Sequence, residues 1–328
     1  MTKHILGFDV GGTKCSAILG SYDCQISDKI TFATPADFCN TWKLFLKKLD
    51  ILLKRNSLSI SDCSAVGISC GSPLDSVMGI VKSPPNLPGW DNIHIVELGR
   101  KTFSLPVFLM NDANACALAE YQLGAGVGNQ HMVFFTMGTG LGAGIIINGQ
   151  VYEGKSGMAG EFGHCRLREN GPTGYNKAGS FEGFCGGAGI AKNAEKIAAQ
   201  YQPEEAIAQY LALIGNKDYS VKNLAFAATK DNQFAKYVFA ETGKMLGYGL
   251  SWIIDGLNPE LIVIGSIFQR CEALIKPAMT EILTRECLPE NLAAVQIVPA
   301  VLGDNIGDYA ALIIAKNGLE RLKAKKTL

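Results

Sequence analysis

Phe8-Asp9-Val10-Gly11-Gly12-Thr13-Lys14 joins two short, largely apolar runs, Lys3 to Phe8 before it and Cys15 to Leu19 after it. Apolar runs on both sides of a glycine pair predict a β-hairpin. Gly11 and Gly12 lack a Cβ, so backbone amides there can approach an anion closely, with the Thr13 hydroxyl and the Lys14 charge beside them. A Walker loop is excluded, because that motif opens a helix and here a strand follows. The same plan returns in Phe135-Thr136-Met137-Gly138-Thr139-Gly140, continued by Leu141-Gly142-Ala143-Gly144 and a returning apolar strand, Ile145 to Ile147. A dinucleotide fingerprint is rejected for these glycines on the same ground, since an Asn148-Gly149 turn follows instead of a helix. A repeated glycine hairpin predicts an α/β chain of two similar lobes, each offering a phosphate-binding turn to a shared cleft.

Pro106 to Gly124, PVFLMNDANACALAEYQLG, predicts a short buried strand over Val107 to Met110 and a helix over Ala113 to Leu123. Asn111 and Asp112 then stand at a strand-to-helix corner. A carboxylate there meets the positive end of the helix, which is expected to lower its pKa and keep it ionised as a proton acceptor. The competing reading is that Asp112 only caps the helix, since Asp and Asn are preferred cap residues.

At 328 residues, 48% hydrophobic and 18% charged, the chain has ample material for two cores. Lysine plus arginine (30) balance aspartate plus glutamate (30), and the only basic cluster is Lys323-Ala324-Lys325-Lys326. That is not the charge distribution of a nucleic-acid binder, and a small ligand is expected instead. No stretch has the length of a membrane span, and the apolar run Ile5 to Phe8 is too short for a signal peptide, so a cytoplasmic protein is expected. The 10 cysteines are scattered without regular spacing and read as reduced thiols, mostly in the core.

Phe38 to Leu53 carries apolar residues at helical spacing and reads as a scaffold helix. Ala65 to Ser69 predicts a strand, and Val77 to Val81 another. In Ser83-Pro84-Pro85-Asn86-Leu87-Pro88-Gly89-Trp90 the prolines fix an extended loop that mounts the Asn86 amide rigidly, or else a stiff connector with Trp90 in the core. Gly157 to His164 is an irregular glycine loop displaying Glu161 and His164. Beyond Ser180-Phe181-Glu182 the chain is mainly helical from Gly189 to Asp255. Glu260 to Ile264 then predicts a buried strand ending at Gly265-Ser266, and Asp304 to Leu319 a last helix capped by Asp304 or Asn305.

Together, Asp9 to Lys14, Asn111-Asp112-Ala113-Asn114-Ala115, Gly138 to Gly142, Gly160-Glu161-Phe162-Gly163-His164 and Glu182 resemble the ROK family of sugar kinases and sugar-responsive repressors, in family order over residues 7 to about 315. The resemblance is strongest to its glucokinase-like and N-acyl hexosamine kinase-like branch. It implies an actin-like ATPase (RNase H-like) fold, α/β throughout, with two lobes around a nucleotide and sugar cleft. The expected division is an N-terminal lobe of residues 1–116, joined by a last helix of about 304–328, and a C-terminal lobe of 117–303. By resemblance Asp9, Gly11, Gly12, Thr13, Lys14, Gly138, Thr139, Gly140 and Gly142 serve ATP and its phosphates. Gly265 and Ser266 lie near the adenosine. Asn86, Asn111, Asp112, Glu161, His164 and Glu182 hold sugar hydroxyls. Asp112 is the expected general base for transfer to a hexose, at the 6-hydroxyl in the glucokinase manner. Asp9 either orients Mg²⁺ or its waters or stabilises its turn. Homodimers are usual in the family.

The chain departs from its family at one segment. Most members build a zinc site from the histidine of Glu-x-Gly-His and three cysteines of a C-x-C-G-x-x-G-C-x-E segment. Here the cysteine positions are Thr173, Tyr175 and Ser180, although Glu182 remains. No structural zinc is expected, and hydrogen bonds from neighbouring loop residues must orient His164 in its place. A repressor needs a helix-turn-helix domain before the first hairpin, for which no room is expected. A catalytically silent sugar sensor is the alternative to the kinase.

Overall fold

The computed structural model describes residues 4–327, with side chains to 325, so Lys3, the Lys326 side chain and Leu328 lie outside the described residues. The chain forms two compact units. One comprises Met1–Gly124, Val151–Ala159 and Leu302–Leu328, the other Ala125–Gln150 and Gly160–Val301.

The sheet of the first unit runs, edge to edge, Ile26–Ala33, Lys14–Gly20, His4–Val10, Cys63–Cys70, Val107–Asn111. His4–Val10 and Lys14–Gly20 form the hairpin predicted around the first glycine turn, in register from Ile5 opposite Gly20 to Val10 opposite Cys15. Cys63–Cys70 and Val107–Asn111 extend it in parallel. The central strand is buried on both faces, as its unbroken apolar run requires. On one face lies helix Phe38–Arg55, started by the Asp37 carboxylate on the Asn40 amide, with the Phe45 ring stacked 3.8 Å from that of Phe8. On the other lies the last helix, Ile306–Thr327, so close that a Cβ on Gly67 would stand 2.0 Å from the Ala311 carbonyl oxygen. Val77 to Val81 is not the strand its apolar content suggested. Only Ile80–Val81 pairs, and Val77 is 91% exposed in the preceding turn, because Gly79 takes φ +73° there. Trp90 is fully enclosed, as the connector reading expects, while the loop before it is folded into turns, the Leu87 amide donating to the Pro84 carbonyl at 3.0 Å, and leaves Asn86 exposed.

The sheet of the second unit runs Gln150–Val151, Leu141–Ile147, Met132–Met137, Leu261–Ser266, Gln296–Pro299. This is the strand order of the first sheet. Its hairpin pairs Met132–Met137 with Leu141–Ile147 antiparallel, and two parallel strands follow on the other side. The two glycine turns therefore hold equivalent positions in two copies of one topology. Helices Gly187–Ala198, Glu204–Ile214, Val221–Thr229, Gln233–Leu257 and Ile267–Glu286 complete this unit. No helix among the described residues is long and apolar enough to cross a membrane. All ten cysteines are free thiols, and all but Cys39 and Cys165 are buried.

Candidate functional site

In the first unit the strand-to-helix corner forms as its residues dictate, with Val107–Asn111 leading directly into helix Asp112–Leu123. The cap is Asn111. Its Oδ1 accepts the Asn114 amide at 3.0 Å, while its Nδ2 donates to Ser72 Oγ at 2.8 Å and to Asp112 Oδ1 at 3.1 Å. Asp112 is the first residue of the helix, its Oδ1 accepting the Ala113 amide at 2.8 Å, and its side chain is exposed. The Asn114 amide is thus capped by Asn111, while Asp112 takes only the Ala113 amide.

The expected lowering of the Asp112 pKa is reversed. Desolvation by the surrounding protein raises it, and the hydrogen bonds from Ala113 and Asn111 only partly offset that rise. A raised carboxylate is a stronger base than a depressed one.

Asp9 is the penultimate residue of the central strand, opposite Ser16 and Ser69. Its carboxyl is pushed up to about 7, first by burial and then by the charges of Asp308 and Asp112, against smaller lowering from Ser69 and Lys14. The buried Ser69 hydroxyl makes no hydrogen bond of good geometry and acts on Asp9 by proximity. Asp308, only 4% exposed, is neutralised by Lys29 at 2.6 Å. Two further residues of this half escaped the sequence reading, Ser72 and Asp308. Ser72 had a visible signal, standing between a strand end and a proline.

The first glycine turn closes on itself, the Gly11 amide donating to the Lys14 carbonyl at 3.1 Å and Thr34 Oγ1 to the Gly11 carbonyl at 2.6 Å. Gly11's own amide is therefore spent, and those of Gly12 and Thr13 remain to meet a ligand. Thr13 and Lys14 are exposed. A Cβ on Gly12 would stand 2.7 Å from Asn86 Cβ, so only glycine lets the proline loop approach this turn. The fold thereby gathers Asp9, Gly12, Asn86, Asn111 and Asp112 in one unit.

The second turn repeats the closure, with the Gly138 amide on the Gly140 carbonyl at 3.0 Å. Behind it the first amides of helix Gly187–Ala198 are engaged, Gly187 with the Gly138 carbonyl at 2.8 Å and Ala188 with that of Thr139 at 3.1 Å. Glu182 lies at the start of the short helix Phe181–Cys185, capped by Ser180, and its Oε2 accepts the Leu141 amide at 3.0 Å. Glu161 and His164 bound a single 3₁₀ turn and are both exposed. A Cβ on Gly163 between them would stand 2.3 Å from the Leu141 carbonyl oxygen and 3.4 Å from Glu182 Cβ. Gly142 sits in the returning strand opposite Thr136. Ser266 pairs with Met137 and caps helix Ile267–Glu286 at φ +58°, ψ −108°, a conformation rare for serine and a mark of local constraint beside Gly265.

The pattern of the ROK family matches residues 5–318. A glucokinase of Halalkalibacterium halodurans is 30% identical over 93% of this chain and 92% of its own length. A glucokinase of Thermotoga maritima is 28% identical over 95% and 97%. Among solved structures, a ROK family glucokinase from Streptomyces griseus in complex with glucose and AMPPNP is 27% identical, covers 96% of this chain and 99% of that one, and superposes with a TM-score of 0.80. Two sheets of one topology, each carrying a self-closed glycine turn, constitute the actin-like ATPase fold, and with these matches over nearly its whole length the chain belongs to the ROK family.

Proposed function

We propose that the chain is an ATP-dependent sugar kinase that transfers the γ-phosphoryl group to a hydroxyl of a free hexose, the 6-hydroxyl in the glucokinase manner. The observation that carries this reading is Asp112. It is an exposed carboxylate at a strand-to-helix corner, relieved of capping by Asn111 and with its pKa raised by desolvation. A protein that only bound sugar would have no use for such a group.

In this reading Asp112 takes the proton of the attacking hydroxyl, which Asn111 and Asn86 orient from the same unit. The amides of Gly12 and Thr13, with the Lys14 charge, receive phosphate oxygens, and the turn at Gly138 to Gly140 serves the same nucleotide. Glu161, His164 and Glu182 read the remaining sugar hydroxyls. The charges of Asp308 and Asp112 raise the cost of ionising Asp9, and a divalent cation relieves that cost. Asp9 accordingly fits Mg²⁺ as one carboxylate facing the ion or its waters, the nucleotide supplying the rest. The ion would neutralise phosphate charge during transfer.

The test is ADP release with Mg-ATP against a panel of free hexoses, comparing the natural chain with Asp112→Ala. Sugar-dependent turnover that disappears in the variant supports the kinase and names its sugar. Sugar binding without turnover in the natural chain would replace it with a silent sensor.

A further inference from the structure

The family's zinc positions here do not suit the metal. The buried Ser180 hydroxyl is already committed, accepting the Gly183 amide at 3.1 Å and donating to the Gly174 carbonyl at 3.3 Å. Thr173 lies in a strand opposite Ala178, and neither hydroxyl nor phenol belongs to the sulfur and imidazole donors of a structural zinc site.

The same segment is instead closed by hydrogen bonds. Thr173–Gly174 and Lys177–Ala178 pair antiparallel through the two-residue turn Tyr175-Asn176, with φ +43° and +62°. Two left-handed residues make a type I′ turn, for which asparagine and glycine are suited and a tyrosine is strained. Beyond His164 the chain is laced to the far side of this hairpin. Leu167 donates to the Gly179 carbonyl at 2.8 Å, Phe181 to that of Cys165 at 2.8 Å, and the Arg166 guanidinium to that of Ala178 at 2.9 Å. Two contacts then converge on His164 itself. Lys177 Nζ donates to its carbonyl at 2.8 Å, and the Tyr175 ring stands edge-on to the imidazole, centroids 5.8 Å apart at 81°.

We propose that Tyr175 and Lys177 are positioning residues that fix His164 where other family members use zinc, Tyr175 holding the ring and Lys177 the backbone. Tyr175 is 58% exposed, so core packing does not account for a tyrosine in a left-handed turn. Its contact with His164 does. The strain is kept because the ring is needed. The inference rests on the reading that His164 meets the sugar.

Tyr175→Gly separates this role from a merely structural one, since glycine relieves the turn and is expected to leave thermal stability equal or higher. The expected result is a sugar KM raised about tenfold with kcat little changed, as the loss of one aromatic contact implies. Tyr175→Phe, which keeps the ring edge, restores the natural KM. Lys177→Met raises KM in the same direction. The second readout is independent of turnover. With only 4 histidines in the chain, the His164 Cε1–H resonance can be assigned and followed, and it is expected to move in Tyr175→Gly. A natural KM together with an unmoved resonance in Tyr175→Gly overturns the proposal, as does one tightly bound zinc per purified chain. If the natural chain phosphorylates no sugar, the kinase reading fails by itself, and the resonance alone decides whether Tyr175 holds His164.

Discussion

Glu182 Oε2 accepts the amide hydrogen of Leu141 at 3.0 Å, so the residue that resemblance assigns to sugar hydroxyls also anchors the turn assigned to nucleotide phosphates. A Cβ on Gly140 would stand 2.5 Å from that same oxygen. Glu182→Ala leaves the buried Leu141 amide without its partner and is expected to raise KM for sugar and for ATP together, about ten- to a hundredfold. Gly140→Ala displaces the carboxylate and should do the same. Because both act on one hydrogen bond, their effects should not add in a double-mutant cycle. Steady-state kinetics with each substrate varied in turn is the measurement, and a change confined to sugar KM would show that the bond does not couple the two.

Asn111 and Asp112 divide labour that one residue could have held. Asn111→Ala removes the cap on the Asn114 amide and the bond to Ser72, and should destabilise the protein by about 1 kcal/mol or more. Asp112→Ala should leave stability nearly unchanged while kcat falls by about 10²- to 10⁴-fold. Chemical denaturation of both variants beside their kinetics checks the contrast, and equal loss of stability in the two would refute it.

Asp9 gives the first unit a pH dependence of defined sign. Its carboxyl is raised from 3.8 to about 7, so the folded state holds the proton more tightly than the unfolded chain. Stability from this group is full below the unfolded pKa and is lost as pH rises through about 7. Asp9→Asn, which carries no charge at any pH, should therefore gain in melting temperature over the natural chain as pH is taken from 4 to 8. A difference that shrinks over that range would contradict the assignment.

The last helix docks through a glycine. Gly67→Ala drives a methyl to 2.0 Å from the Ala311 carbonyl oxygen, and backbone on both sides must yield. The expected cost is about 1–3 kcal/mol or more. Circular dichroism melts check this, with Ala65→Gly on the same strand as a control for strand propensity.

Local chemistry made much of this architecture legible. Gly11-Gly12 and Gly138 to Gly140 between apolar runs give hairpins because glycine turns and β-branched strands are decided within a few residues, and the corner at Asn111 follows from an apolar run meeting an alanine-rich one. What stayed hidden depends on distance in sequence. The sign of the Asp112 shift is set by protein mass gathered from the whole unit, and the Glu182 to Leu141 bond spans residues that no spacing rule connects. Val77 misled because its exposure is decided by the Gly79 turn. The glycines around Tyr175-Asn176 marked turns, but nothing local marked Tyr175 as taking a left-handed conformation.

Glu120, at the far end of the helix that begins beside Asn111, is fully buried, and its Oε1 accepts the amide of Leu302, where the chain re-enters the first unit. A buried carboxylate that lacks one of its hydrogen bonds is costly. During synthesis, at about 5–20 residues per second, residues 160–301 must all be added before that amide exists. The second unit thus has its complete sequence while the first still lacks both the amide for Glu120 and the helix that covers Gly67. The unit whose strands are made first is the last to be finished, and in a growing chain its sheet face stays uncovered at Gly67 until the helix Ile306–Thr327 has been made.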